Sequence, residues 1–331
     1  MTTPEHPFAK YVRILGKGKT GTRSLERHEA FAAFGMILRD ETEALQLGAF
    51  LMLLRVKEES PEELAGFVEA VRENMQTPPA ALYADLDWSS YAGKRHQHPW
   101  FILSMLLLAQ AGYRVLVHGS TGHTPGRLYT EQAMRALELP VASTWSEVEA
   151  GLDHSGLCYL PLRSFCPALD NLIQLKPILG LRSPVNTLTR MINPLRAPAS
   201  IQSIFHPAYA ALHQHADRLL GQPRALVFKG ESGEIELKPH ADTRLHLLEQ
   251  GQLRQLSVPR AFTQRPTPVE QASVDPLLRL WCGDDSDAYG LEATLSTAAA
   301  GLLSIRPDTT FAQQRLEAEK LWRGRDLKRL G

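Results

Sequence analysis

The periodicity of apolar residues changes once along this chain, at Thr77-Pro78-Pro79, and this change constrains the fold more than any other feature. Before it, apolar residues recur at helical spacing. After it, short apolar runs typical of buried strands alternate with helical segments. The pattern predicts a helical subdomain over residues 1–77, joined by part of 166–194. It also predicts an α/β domain with a mostly parallel central sheet over residues 78–331.

The N-terminal helices are indicated by apolar stripes and by one capping signal. Phe31, Phe34 and Leu38 fall on one face of a helix within residues 24–39, and a second helix is predicted over 42–55. Ser60-Pro61-Glu62-Glu63 then combines an N-cap serine, a proline at the first helical position and a glutamate three residues on. This capping box predicts a third helix that ends near residue 75.

The second part of the chain alternates between the two periodicities. Helices are predicted over 100–111 and 129–138, and strands over 114–117, 156–161 and 224–228. Polar loops at 118–122 and 229–233 follow two of these strands. Because ligands of parallel sheets bind beyond the carboxyl ends of the strands, we expect any site to lie near these loops. A basic helix over 311–330 is predicted to cap the domain.

Charge and cysteine usage exclude several classes of protein. The chain of 331 residues has 36 Lys and Arg against 36 Asp and Glu, and its pI of about 7.2 argues against a uniformly basic nucleic-acid-binding protein. Three scattered cysteines without a C-x-x-C pair predict a reduced, cytoplasmic protein without structural zinc. The apolar run at 100–112 is too short to span a bilayer, so no membrane partner is expected.

A glycine loop at residues 16–23 carries several cations. The spacing of Gly16, Gly18 and Gly21 fits the dinucleotide-binding pattern G-x-G-x-x-G. Two helical patterns follow the loop, however, whereas a dinucleotide-binding loop joins a strand to a helix. Two interpretations remain open at this point: a basic hairpin that binds an anion, and a solvated turn whose glycines serve the turn geometry.

Three blocks of sequence resemble the anthranilate phosphoribosyltransferase family. They are residues 46–55 with 60–64, His118-Gly119 with 136–139, and residues 179–183 continuing through Asn186 to Asn193-Pro194. Together they span most of residues 8–240. The resemblance implies the nucleoside phosphorylase/phosphoribosyltransferase-like fold and a homodimer formed through the helical subdomain.

The residues that carry the chemistry of that family differ in this chain. In the enzymes, a G-T-G-G-D loop binds the pyrophosphate of phosphoribosyl pyrophosphate, and residues 88–95 here read W-S-S-Y-A-G-K-R. The phosphate-binding helix start N-x-S-T corresponds to P-W-F-I at 99–102. The magnesium-binding Asp-Glu pair corresponds to Ile235-Glu236, and Lys176 replaces an arginine that binds the aromatic acid.

These substitutions remove what phosphoribosyl transfer depends on, which is positioning together with metal and amide stabilisation of the leaving pyrophosphate. We therefore expect no catalytic residue, no cofactor and no metal. His118 is expected to hold hydrogen bonds rather than act as a base. A vestigial ligand cleft is expected, formed by His118, Gly119, Lys176 and Glu236.

A narrower resemblance, to the non-catalytic YbiB-like branch of the family, rests on residues 16–23, 90–95 and 99–101. It implies a homodimer that binds DNA, with RNA as an open second ligand, without sequence preference. Cations on glycine loops suit contact with the phosphate backbone. The predicted phosphate contacts are Lys17, Lys19, Arg23, Lys94 and Arg95, with Arg190 and Arg196 in second rank. The alternative is a phosphoribosyl or other glycosyl transferase with an altered substrate site.

Overall fold

A computed structural model describes residues 4–18 and 20–330. The N-terminal part contains four helices: α1 (Ala9–Gly16), α2 (Arg27–Leu38), α3 (Ala44–Lys57) and α4 (Pro61–Asn74). The capping box at the start of α4 is confirmed, because the Glu63 amide donates to Ser60 Oγ and the Ser60 amide donates to the Glu63 carboxylate. Phe34, which belongs to the predicted apolar stripe, is buried and packs against Phe67, and Phe67 also packs against Phe50.

The α/β part begins with three strands and their connecting helices. These elements are β1 (Leu86–Ser90), α5 (Phe101–Gln110), β2 (Val115–Gly119), α6 (Thr130–Ala136), α7 (Trp145–Ser155) and β3 (Leu157–Pro161). Four short helices follow: α8 (Leu162–Phe165), α9 (Pro167–Ile173), α10 (Lys176–Leu179) and α11 (Val185–Leu188), and a 3-10 turn at Thr189–Met191 continues from the last.

The chain then returns to the sheet and ends in helices. The remaining elements are β4 (Ala199–Ile204), α12 (Tyr209–Leu219), β5 (Arg224–Lys229), β6 (Thr243–Glu249), β7 (Gln252–Val258), α13 (Asp275–Cys282), α14 (Ala288–Ile305) and α15 (Phe311–Arg323). The basic C-terminal helix predicted to run to residue 330 ends earlier, and a separate 3-10 turn lies at Leu327–Leu330.

The seven strands form one sheet in the order β3-β2-β1-β4-β5-β6-β7. The first five strands in this order are parallel; β6 pairs antiparallel with β5, and β7 pairs antiparallel with β6. The prediction of a mostly parallel sheet is therefore confirmed. The register places Ser90 opposite Gly119 and Ile204 opposite Lys229, so the carboxyl ends of β1, β2, β4 and β5 meet at one edge.

Two buried clusters cover the two faces of this sheet. Val115 and Val117 of β2 pack with α5 and α14, whereas Leu116 faces the cluster that also contains the N-terminal helices. This follows from the period of two in a strand, which sends successive side chains to opposite faces. Side chains of α8, α9 and α11 belong to the same cluster as Leu116 and the N-terminal helices, so residues 162–188 share a core with those helices.

Candidate functional site

The loop after β1 is closed by a carboxylate of the chain itself. Glu234 is fully buried, and its Oε1 accepts hydrogen bonds from the amides of Ala92 and Gly93 at 2.7 and 2.5 Å. Its Oε2 accepts from the hydroxyl of Ser90 at 2.6 Å. Backbone amides that converge in this way form a ready anion site, and here the anion is an internal glutamate.

A second carboxylate closes the start of α5. Glu236 Oε2 accepts a hydrogen bond from the Phe101 amide at 3.0 Å, and its Oε1 lies 2.6 Å from Lys94 Nζ. Burial raises the pKa of Glu236 to about 7, while the charge of Lys94 acts in the opposite direction. We call the amides of Ala92, Gly93 and Phe101 the amide cradle. Each of them is already bound to a glutamate.

Lys94 is buried in the structure, whereas the sequence predicts it at the surface in contact with phosphate. Its side chain is fully buried, and its ammonium is paired with Glu236. The prediction that Lys94 contacts phosphate is wrong, because a buried ammonium held by a carboxylate cannot reach a polymer backbone. Arg95, the next residue, is exposed and has no ion pair among residues 4–18 and 20–330.

His118 and Gly119 lie inside the fold rather than along an open cleft. The His118 ring is fully buried, with Nδ1 2.7 Å from the hydroxyl of Tyr91 and Nε2 3.2 Å from Asp87 Oδ1. A Cβ atom at Gly119 would collide with the Ser90 carbonyl oxygen of the neighbouring strand, so this position needs glycine for close packing. With Glu236 also buried, three of the four predicted cleft residues face no open space.

The glycine loop between α1 and α2 presents cations at the surface. Lys17 is exposed and has no ion pair within the described residues, and Gly18 has a φ of 87° that favours glycine. Arg23 is exposed but holds the carboxylate of Glu29 through two hydrogen bonds of 2.6 and 2.7 Å. These bonds from Arg23 lower the pKa of Glu29 to about 2. Lys19, also a predicted contact, lies outside the described residues.

The remaining predicted cations lie at three different places. Lys176 on α10 is half-buried and donates to Thr124 Oγ1 at 3.4 Å. Arg196 is exposed and borders a shallow groove that also contains Arg72. Arg190 is buried and lines a separate recess with Arg182. The structure therefore does not unite Arg190 and Arg196 in one surface.

Comparisons with known proteins agree with this architecture. Residues 10–75 match the helical bundle domain of a glycosyl transferase family, and residues 102–279 match its α/β domain. The anthranilate phosphoribosyltransferase of Methylobacterium radiotolerans is 31% identical over 288 residues, which cover 84% of this chain and 79% of that protein. The chain belongs to the anthranilate phosphoribosyltransferase-like family.

Further members of the family are similar over most of their length. The uncharacterized protein YbiB of Escherichia coli is 28% identical over 253 residues, or 75% of this chain and 78% of that protein. The crystal structure of anthranilate phosphoribosyltransferase from Thermus thermophilus superposes with a TM-score of 0.75 at 22% identity, covering 94% of both chains. The Saccharomyces cerevisiae enzyme in complex with PRPP and Mg gives 0.76 at 14% identity, covering 96% of this chain and 93% of that one.

Sequence reasoning on this anthranilate phosphoribosyltransferase-like chain missed the role of Glu234. Glu234 and Glu236 are two residues apart, and the backbone of Glu234 is extended. Such spacing in an extended segment places both side chains on one side, which was the available signal. Sequence alone could not show that both carboxylates turn toward the loop after β1, because the partners lie more than 130 residues earlier in the chain.

The described part of this family member offers neither a metal cluster nor a membrane span. Within residues 4–18 and 20–330, no three His, Cys, Asp or Glu side chains are grouped so that they could hold a metal ion. In the same residues, every helix is too short or too polar to cross a lipid bilayer.

Proposed function

We propose that this chain binds nucleic-acid backbones without sequence preference, as a homodimer, and no longer transfers phosphoribosyl groups. The observation that carries the proposal is the closure of the amide cradle by Glu234 and Glu236. By the family resemblance, this loop and helix start would bind pyrophosphate in an enzyme. Here two glutamate side chains occupy the amides that the anionic leaving group would need.

Repulsion and competition both oppose a sugar diphosphate at this place. A pyrophosphate would have to displace buried carboxylates from their hydrogen bonds with the Gly93 and Phe101 amides. It would also have to separate the buried pair of Lys94 and Glu236, and breaking such a pair costs about 3–5 kcal/mol. Binding energy spent in this way is no longer available to stabilise a transition state.

The exposed cations of the N-terminal part support the proposed binding of phosphate backbones. Lys10, Arg13 and Lys17 follow one another at intervals of three and four residues on α1 and its end, so they share one helix face. Arg13 is paired with Glu5, whereas Lys10 and Lys17 have no ion pair among the described residues. Cations of this kind on a glycine loop contact phosphates without reading bases.

An apolar face on α3 supports the proposed homodimer. Leu45 is 89% exposed and Val56 is 85% exposed, although the helix is apolar on nearly every side. A Cβ atom placed on Gly48 would meet no atom of the described residues within 4 Å, so this position has open space beside it. A helix that is apolar all round is normally buried, and a second copy of the chain would cover this face.

The salt dependence of DNA binding tests the proposal. If Lys10, Lys17 and Arg95 of two protomers neutralise about six phosphates, log affinity for duplex DNA falls with log salt at a slope near −5. A single protomer would give about half that slope. Lys17→Ala should flatten the slope by about 1 for each phosphate that the variant no longer neutralises, and it should weaken binding to all sequences alike.

The control removes the same charge elsewhere, by Lys320→Ala on α15, and should leave the slope unchanged. A slope near zero in the wild-type protein would contradict the proposal. So would calorimetry that finds saturable micromolar binding of phosphoribosyl pyrophosphate with magnesium.

A further inference from the structure

A recess at the carboxyl end of β4 is lined by three arginines from separate elements. Arg55 comes from α3, Arg182 from the loop after α10, and Arg190 from the 3-10 turn that follows α11. The cavity has a volume of about 100 Å³. We call it the arginine pocket. The rest of its lining consists of Ser183, Asn186, Thr187, Ile204, Phe205, His206, Tyr209 and His213, so none of the described residues contributes a carboxylate to it.

The guanidinium groups of the arginine pocket lack ion-pair partners within the described residues. Arg190 is 8% exposed, and its one hydrogen bond runs from Nη1 to the Gly233 carbonyl oxygen at 3.0 Å. Arg182 is half-buried and has no hydrogen-bond or ion-pair partner among residues 4–18 and 20–330. Arg55 donates to the hydroxyl of Tyr209 at 3.3 Å. Buried charge is costly unless it is paired, so these groups are arranged for an anion that enters from outside.

The three charges also act on one another. Burial lowers the pKa of Arg190; the charge of Glu234 opposes this shift, and the positive charge of Arg182 adds to it. Burial likewise lowers the pKa of Arg182, and Arg55 adds to that effect. An anion among these groups would offset both the desolvation cost and the mutual repulsion.

Size and shape limit what this anion can be. A recess of about 100 Å³ has room for one compact anionic group and excludes a duplex. The planar guanidinium group of arginine can donate two parallel hydrogen bonds to the oxygens of a phosphate. A phosphate monoester projects from the end of a molecule and carries a charge of about −1.5 to −2, whereas a backbone diester carries one. Three guanidinium groups without carboxylate partners therefore favour the monoester.

The rim of the pocket adds a surface for a base. Phe205 is 48% exposed, and its ring lies 5.1 Å from that of His206, which is also exposed. Exposed aromatic rings beside cations are stacking platforms for nucleobases. Ile204 also borders a neighbouring groove, which is lined by Lys229, Lys238, Arg244 and His246 and, among the described residues, by one acid, Asp242.

We infer that the arginine pocket binds the phosphate monoester of a nucleotide, whose base stacks on Phe205. The nucleotide is either free or the phosphorylated end of a strand that continues along the neighbouring groove. For a strand end, the inference rests on the nucleic-acid binding proposed above; for a free nucleotide, it stands alone.

The test compares ligands that differ in one phosphate. AMP is measured against adenosine, and a 5′-phosphorylated single-stranded oligonucleotide against its 5′-hydroxyl form. We expect at least one phosphorylated ligand to bind ten times more tightly or better. A preference confined to AMP assigns the pocket to free nucleotides, and one confined to the oligonucleotide assigns it to strand ends. Equal affinities in both comparisons overturn the inference.

Variants show which residues the preference for a phosphorylated ligand depends on. Arg55→Ala, at a half-buried position that leaves the core intact, should abolish the phosphate preference, and Arg190→Met should do the same. Arg323→Ala, which removes an exposed arginine on α15 outside the pocket, should keep it. Lys17→Ala should also keep it while weakening duplex binding, so failure of this inference and failure of the proposed function are distinguishable. A preference that survives both Arg55→Ala and Arg190→Met would overturn the assignment.

Discussion

The amide cradle and the arginine pocket are two groups of anion-binding atoms at the same edge of the sheet, and they differ in what occupies them. Glu234 and Glu236 fill the cradle with carboxylates from the chain itself. The arginine pocket has no acid in its lining. Hydrogen-bond donors alone therefore do not define a binding site. A donor binds a ligand only where the fold has not already supplied the acceptor.

Splitting the buried pair in the cradle should have the largest effect. Glu236→Gln leaves the Lys94 ammonium buried without its counterion, and we expect a loss of about 3–5 kcal/mol in the free energy of unfolding, measured by urea denaturation. The double variant Lys94→Met with Glu236→Leu removes both charges and should recover most of that loss. If the double variant were no more stable than Glu236→Gln, the unpaired Lys94 ammonium would not be the cause of the loss.

The polar network beside the arginine pocket should make stability depend on pH. Gln202 links His213, which lines the pocket, to the buried carboxyl of Asp217, and burial raises the pKa of Asp217 from 3.8 to about 7. A carboxyl whose pKa is raised in the folded state stabilises the protein below about pH 4 and loses that contribution as the pH rises through about 7. Relative to that of Asp217→Asn, the free energy of unfolding of the wild-type protein should therefore fall by up to about 4 kcal/mol between these pH values.

Chemical denaturation of both proteins at pH 4, 5.5 and 7 measures this difference. A constant difference between the two free energies of unfolding across the three pH values would show that Asp217 titrates normally. Asp217 would then be ionised at pH 5.5 and 7 in the folded protein.

Opening the cradle should have the smallest effect on stability and the most direct bearing on the comparison. Glu234→Ala leaves the Ala92 and Gly93 amides without their acceptor, which we expect to cost about 1–3 kcal/mol. The emptied cradle should then accept an anion, so pyrophosphate should raise the melting temperature of the variant and leave that of the wild-type protein unchanged. Glu231→Ala, which removes a nearby half-buried carboxylate, serves as the control and should respond as the wild type does.

Most of the fold could be predicted because local patterns agree with it. The apolar stripe of α2, the capping box at Ser60 and the buried run of α5 each reflect a preference of a few neighbouring residues. The strands β1, β4, β6 and β7 escaped prediction. A strand gains its stability from cross-strand neighbours that lie far away in the sequence, so its own residues give a weaker signal.

The family and the alternation of helices and strands could be predicted from the amino-acid sequence alone. The sequence could not determine which charges remain free. Lys94 and Arg95 are neighbours of the same sign, yet one is buried on Glu236 and the other is exposed. Arg190 lies between helical turns and lines a pocket that contains no acid. Whether a charged side chain is buried and paired or exposed and free follows from the folded chain. Its interaction energy depends on solvent and on partners that folding brings from distant parts of the chain.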